Sequence, residues 1–118
     1  MRYLCIYKPA KAEGAPPTQT EMEKMGKYIE QSFKEGTLIA TEGCLSSSLG
    51  ARVRKTNGQF KVTDGPFTEA KELVGGFALI YVKSKQEAID FTKKFMNLAG
   101  DGEVELRQVY DDSPVPQQ

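Results

Sequence analysis

Asp64-Gly65-Pro66-Phe67 is the segment of this chain best equipped for chemistry. A carboxylate such as Asp64 becomes a useful general base when it is partly desolvated, because burial penalises its charged form. The neighbouring residues say where it should sit. Asn57-Gly58 is a preferred dipeptide for a two-residue type I′ turn. A hairpin built on it pairs Lys55 with Phe60, Val53 with Val62, and Ala51 with Asp64. Asp64 then shares a face with Val53, Phe60 and Val62, while Arg52, Arg54 and Lys61 occupy the other. If Val53 and Val62 point to a core, Asp64 ends an apolar row and is partly desolvated. The structural alternative is equally concrete: Asp ahead of Gly-Pro is a normal turn residue that bonds its own backbone.

Glu42, beside Gly43 at the end of a short strand, is a weaker catalytic candidate. Two carboxylates in contact could divide acid and base work, although a lone Glu is ordinarily a solvated surface residue. Candidate ligand-binding residues are Tyr3, Tyr7, Arg52, Phe67 and Lys71. Arg52, with Arg54 and Lys61, makes a basic strip that could hold an organic acid or simply discourage edge aggregation. Lys71 lies in a charged turn with Glu69 and Glu72 and could partner a carboxylate. Tyr3 and Tyr7, two apart on one strand, could turn their hydroxyls into a pocket or serve as core residues with hydrogen-bonded tips.

The chain has no histidine, which removes the side chain best suited to proton transfer near neutral pH. Ser-His-Asp and Cys-His arrangements are excluded with it. The two cysteines, Cys5 and Cys44, have no metal-ligand spacing, and neither a GxxxxGK[ST] loop nor a GxGxxG fingerprint is present. No metal and no cofactor is expected. Both cysteines fall in strand-like segments and read as buried, reduced thiols.

Lys plus Arg and Asp plus Glu both number 16. A nucleic-acid binder normally carries a basic excess, so nucleic acid is not an expected partner. No apolar run approaches the roughly 20 residues that span a bilayer, and no leader-like segment opens the chain, so the reading is cytoplasmic with no membrane partner. With 118 residues, 39% of them apolar, one domain with a real core is expected.

The elements that would position Asp64 follow from periodicity and caps. Arg2–Lys8 reads as a strand with Tyr3, Cys5 and Tyr7 on one face and Leu4 and Ile6 on the other. Thr18 with Glu21 forms a capping box, and Met22, Met25, Ile29 and Phe33 predict the buried stripe of the helix it opens, ended by Gly36. Thr37–Thr41 is a second strand, followed by a bend at Ser46-Ser47-Ser48 and the hairpin. Gly75-Gly76 signals close backbone approach ahead of a strand at Phe77–Val82. Ser84 with Glu87 opens a second helix whose Ala88, Phe91, Phe95 and Ala99 point inward. Val104–Tyr110 is the last strand, and residues 113–118 form a polar tail behind a domain at 1–112.

The order β-α-β, hairpin, β-α-β is an α+β pattern: a ferredoxin-like βαββαβ core with an inserted hairpin. Two helices cover one face of such a sheet, yet several strands are apolar on both. A second copy is the economical cover, giving a homodimeric α+β barrel.

Asp64-Gly65-Pro66-Phe67-Thr68-Glu69-Ala70-Lys71-Glu72 resembles the signature of the DGPF-motif, YCII-related family. Glu42-Gly43-Cys44-Leu45, Gly75-Gly76-Phe77 and Val104-Glu105-Leu106-Arg107 are similar to that family's other segments, in the same order. The resemblance implies a dimeric α+β barrel, with a pocket between sheet and helices and the motif Asp at its edge. It also implies two roles. One is a ligand-binding or regulatory module with a signalling protein partner, as companions of extracytoplasmic-function sigma factors would be. The other is a lyase, dehydrochlorinase-like or isomerase-like enzyme using Asp64 as base on a small organic acid or phenolic ligand. A His-Asp pair attributed to some members has no counterpart here.

Overall fold

The computed structural model describes residues 1–10, 17–67 and 73–110. In chain order the elements are β1 (Arg2–Pro9), α1 (Gln19–Lys34), β2 (Leu38–Gly43), β3 (Ala51–Thr56), β4 (Gln59–Asp64), β5 (Gly76–Tyr81), α2 (Lys85–Ala99) and β6 (Gly102–Gln108), with a 3₁₀ turn at Ser47–Leu49. Strands β2, β5, β1 and β6 form one antiparallel sheet in that spatial order, and β3 and β4 form a sheet of their own. With the β3–β4 hairpin set aside, this is the interleaved ferredoxin-like α+β arrangement expected from the element order. Lys71 and the tail at 113–118 lie outside the described residues.

Both helices begin where their caps dictate. The Thr18 hydroxyl accepts from the Glu21 N–H at 3.1 Å, and the Glu21 carboxylate accepts from the Thr18 N–H at 2.9 Å. Ser84 accepts from the Glu87 N–H at 3.1 Å. Gly36 follows α1 with φ of 80°, and Gly100 closes α2 with φ of 98°, backbone shapes that glycine adopts without steric cost.

The helices pack on the face of the sheet that carries Tyr3, Cys5, Leu38 and Ile80, with Val82 and Ala88 completing the buried core. Residues Met25, Tyr28, Ile29 and Ser32 turn α1 toward that core, a stripe at i, i+3, i+4 and i+7. Met22 and Phe33, expected in the stripe, are instead 60% and 45% exposed. They sit at the margins of the helix face, and the smaller Ser32 is buried in their stead, its hydroxyl donating to the Tyr28 carbonyl at 2.7 Å. Ser32 has a partner within its own helix, so its burial leaves no polar group unsatisfied.

Register places Leu4 opposite Leu79, Ile6 opposite Phe77, and Arg2 opposite Tyr81 on the other face of the sheet. No helix covers it. The thinnest extent of the molecule is 19 Å, about one helix layer on one sheet layer. Phe77 and Tyr81 are accordingly 37% and 55% exposed.

The hairpin has the expected register: Lys55 opposite Phe60, Val53 opposite Val62, and Ala51 opposite Asp64. Asn57 and Gly58 have φ of 52° and 79°, the two positive values a type I′ turn needs. Its apolar row, however, does not reach the core. Val53, Phe60 and Val62 are all more than 60% exposed, because the hairpin projects as its own two-stranded sheet. No helix among the described residues is long and apolar enough to cross a membrane.

Candidate functional site

The loop after β4 is held by its neighbours. Gly65 donates its N–H to the Gly50 carbonyl at 3.0 Å, and Phe67 donates its N–H to the Ser47 hydroxyl at 3.0 Å. A Cβ on Gly65 would overlap the Ser47 carbonyl, so only glycine lets the loop lie against the 3₁₀ turn. The Gly65-Pro66 bond is cis. The Arg52 guanidinium lies 4.2 Å from the centroid of the Phe67 ring, a cation–π contact that ties hairpin to loop. Asp64, at the end of β4, is exposed. The desolvation that the buried-row expectation required is missing, because the row itself lies in solvent.

A different site lies between the sheet and the two helices. A cavity of about 220 Å³ is walled by Met25, Tyr28 and Ile29 of α1 and by Phe91, Thr92 and Phe95 of α2. Its floor includes Cys5 and Tyr7 of β1, Ala78 of β5 and Val104 of β6. Ring contacts make the walls firm. Tyr7 meets Phe95 edge-on at 5.6 Å between centroids, and Tyr28 lies against Phe91 at 5.4 Å. Among the described residues, no Lys or Arg lines the cavity.

The hydroxyls on these walls are committed to main-chain carbonyls. Tyr28 donates to Phe91 O at 3.0 Å, Thr92 to Ala88 O at 2.8 Å, and Thr41 to Phe77 O at 2.8 Å. Tyr7 reaches the carbonyls of Ala99 and Asp101, at 3.4 and 3.2 Å. Burial pushes the Tyr28 hydroxyl up to about 12, with the Glu35 and Cys5 charges adding to the rise and the Ser32 hydrogen bond opposing it. Tyr7 is also raised, by burial first and by the Asp101 carboxylate second. Burial pushes the Cys5 thiol up to about 11, against a hydrogen bond with Thr92, so Cys5 is a neutral, poorly nucleophilic thiol.

Gly43, Gly75 and Gly76 add main chain to the cavity lining. Gly75 donates to Tyr7 O at 2.7 Å and accepts from the Cys44 N–H at 2.9 Å. A Cβ on Gly76 would come within 2.7 Å of Glu42 O, which explains the glycine pair. Cys44, expected to be buried, is exposed just past the end of β2, since that edge strand stops at Gly43.

The sequence candidates therefore fall into separate places. Tyr7 and Glu42 border the cavity, whereas Asp64, Arg52 and Phe67 belong to the hairpin base and do not line it. Glu42 contributes main chain, because its register partner Phe77 lies with Ile6 on the open face of the sheet. Tyr3 is a core residue, 5% exposed, outside the cavity lining. Lys71 lies outside the described residues. Tyr28, Thr41 and Thr92 were not singled out from sequence. Only Tyr28 had a readable signal, its helical spacing with Met25, Ile29 and Ser32. Among the described residues, no group of three or more Cys, Asp or Glu is placed to hold a metal ion.

The YCII-related domain family matches this chain over residues 1–112. The chain is also similar to an uncharacterised protein of Rhizobium meliloti (strain 1021), with 33% identity over 93 residues, covering 76% of this chain and 72% of that protein. The matched span holds the cavity, the loop at Asp64 and the glycine pair that lets β5 close on β2, and on this match the chain belongs to the YCII-related domain family.

Proposed function

We propose that this chain is a small-ligand-binding module whose ligand occupies the cavity between the sheet and the two helices. The observation that carries this reading is the cavity itself: about 220 Å³, walled by aromatic and aliphatic side chains. An apolar protein cavity of about 150 Å³ stays dry and takes up benzene, so this one has room for a substituted ring.

Turnover through Asp64 has less support. Its carboxylate is exposed, lies outside the cavity lining, and has no histidine to share a proton with. A binding module would instead report occupancy to a signalling protein partner. The uncovered sheet face, with Leu4, Ile6, Phe77 and Leu79, supports a homodimer in which two sheets close on each other.

Thermal unfolding with indole tests the ligand reading at fixed protomer concentration. A ligand that binds only the folded state at about 100 times its Kd adds about 2.7 kcal/mol, a rise of several degrees in Tm. Absence of stabilisation by indole and by other ring-sized apolar compounds would overturn the reading.

A further inference from the structure

The hydrogen-bond inventory of the cavity wall narrows the ligand class, and this step rests on the cavity reading above. A hydroxyl has one hydrogen and two acceptor lone pairs. Each of the described hydroxyls bordering the cavity has already spent its hydrogen inside the protein: Tyr28 on Phe91 O, Thr92 on Ala88 O, Thr41 on Phe77 O, and Tyr7 on carbonyls at and just past the end of α2. The Cys5 thiol offers only a weak donor. Main-chain amides of the floor strands point along the plane of the sheet to their neighbours rather than up into the cavity. Gly75, also in the lining, donates to Tyr7 O.

What remains on the wall is a set of oxygen lone pairs in an aromatic surround. Among the described residues no Lys or Arg lines the space, and its α1 and α2 residues come from mid-helix, away from the helix N-termini that would favour an anion. A carboxylate or phenolate placed here would lose its water and gain no donor in return, an expensive transfer. A neutral O–H or N–H, by contrast, finds acceptors waiting.

We infer that the cavity takes an uncharged, ring-sized aromatic molecule bearing a hydrogen-bond donor, a phenol or an indole, and refuses carboxylates of the same shape. Of the organic acids and phenols that sequence left open, the wall chemistry selects the phenols.

Calorimetric titration of the full chain near pH 7 with toluene, p-cresol and p-toluate isolates the substituent, since the three share ring and methyl. At that pH the phenol is neutral and the carboxylate ionised. The expected order is p-cresol tighter than toluene by about three- to tenfold, the net worth of one hydrogen bond, with no detectable binding of p-toluate. The joint substitution Tyr28→Phe and Thr92→Val should erase the advantage of p-cresol over toluene, read as the ratio of the two affinities in the same variant. Ala78→Leu, which fills the floor, should abolish binding of both.

Equal affinities for p-cresol and toluene would overturn the donor preference and leave the cavity reading standing. Binding of p-toluate as tight as p-cresol would overturn the inference outright. No binding of any of the three would overturn both inference and cavity reading. Undiminished p-cresol binding by a folded Ala78→Leu variant would place the ligand elsewhere. Should that variant fail to fold, the Tyr28→Phe and Thr92→Val pair decides: an unchanged p-cresol-to-toluene ratio overturns the inference.

Discussion

At the scale of single residues, Cys5 and Tyr28 make a prediction about alkaline stability. The Cys5 thiol is raised from 9.0 to about 11 and the Tyr28 hydroxyl from 10.0 to about 12, each chiefly by burial. Both are acids whose neutral form the fold prefers, so between pH 9 and 12 the folded chain holds more protons than the unfolded one. Stability is then fully present below about pH 9 and falls as pH rises through that window. The Cys5 contribution alone is on the order of 2 to 3 kcal/mol. Denaturant unfolding at stepped pH should show the fall, and Cys5→Ala should flatten its lower half. Asp64 and Gly65 make an opposed pair. Asp64→Asn changes an exposed side chain and should alter stability by less than about 0.5 kcal/mol. Gly65→Ala sets a methyl against the Ser47 carbonyl and should cost about 1 to 3 kcal/mol by overpacking the loop on the 3₁₀ turn. Equal, small losses for both would mean that the loop is not held as described.

Elements differ in what supports them. Helix α1 begins at a complete capping box, and Thr18→Ala removes the hydroxyl that satisfies the Glu21 N–H. The expected loss is about 1 kcal/mol, read as a lower Tm of the whole domain, because α1 packs on the core. The hairpin behaves otherwise. Gly58→Ala forces an L side chain to φ near 79°, at a cost of about 1 to 2 kcal/mol. Since a lone two-stranded ribbon is only marginally stable, that cost should appear as faster amide exchange in β3 and β4. Exchange protection in β1 and β5 should stay unchanged; a matching loss there would show the hairpin to be coupled to the core.

For the whole molecule, the open question is its uncovered sheet face. Phe77 and Tyr81 are exposed on it, with Leu4, Ile6 and Leu79 between them by register. Charges border this apolar centre: Lys8 pairs with Glu105 at 3.3 Å and Arg107 with Glu105 at 3.1 Å. Exposed apolar patches of this kind mark interaction sites. Under the proposed homodimer, light scattering should give twice the chain mass at micromolar concentration. Leu79→Asp should give a folded monomer by circular dichroism, since a carboxylate at the centre of a closed interface would be buried without a partner. A wild-type chain that is monomeric at every concentration would overturn the proposal.

Much of this architecture was legible in the residues because the signals are local. Thr18 and Glu21 fix where α1 starts, Asn57-Gly58 fixes the hairpin register to the residue, and the alternation along Arg2–Lys8 fixes which side chains share a face. Gly75-Gly76 announced a close approach that Glu42 O and Tyr7 supply. The site was less legible, because a cavity has no local signature. Met22 and Met25 look alike in sequence, and only the packing of α1 on the sheet exposes one and sets the other against the cavity. The hairpin shows the same division. Its sequence settled that Asp64 shares a face with Val53, Phe60 and Val62, since side chains alternate strictly along a strand. Whether that face met a core depended on contacts between residues far apart in the chain, and the tertiary structure turned it to solvent, leaving Asp64 exposed and outside the cavity lining.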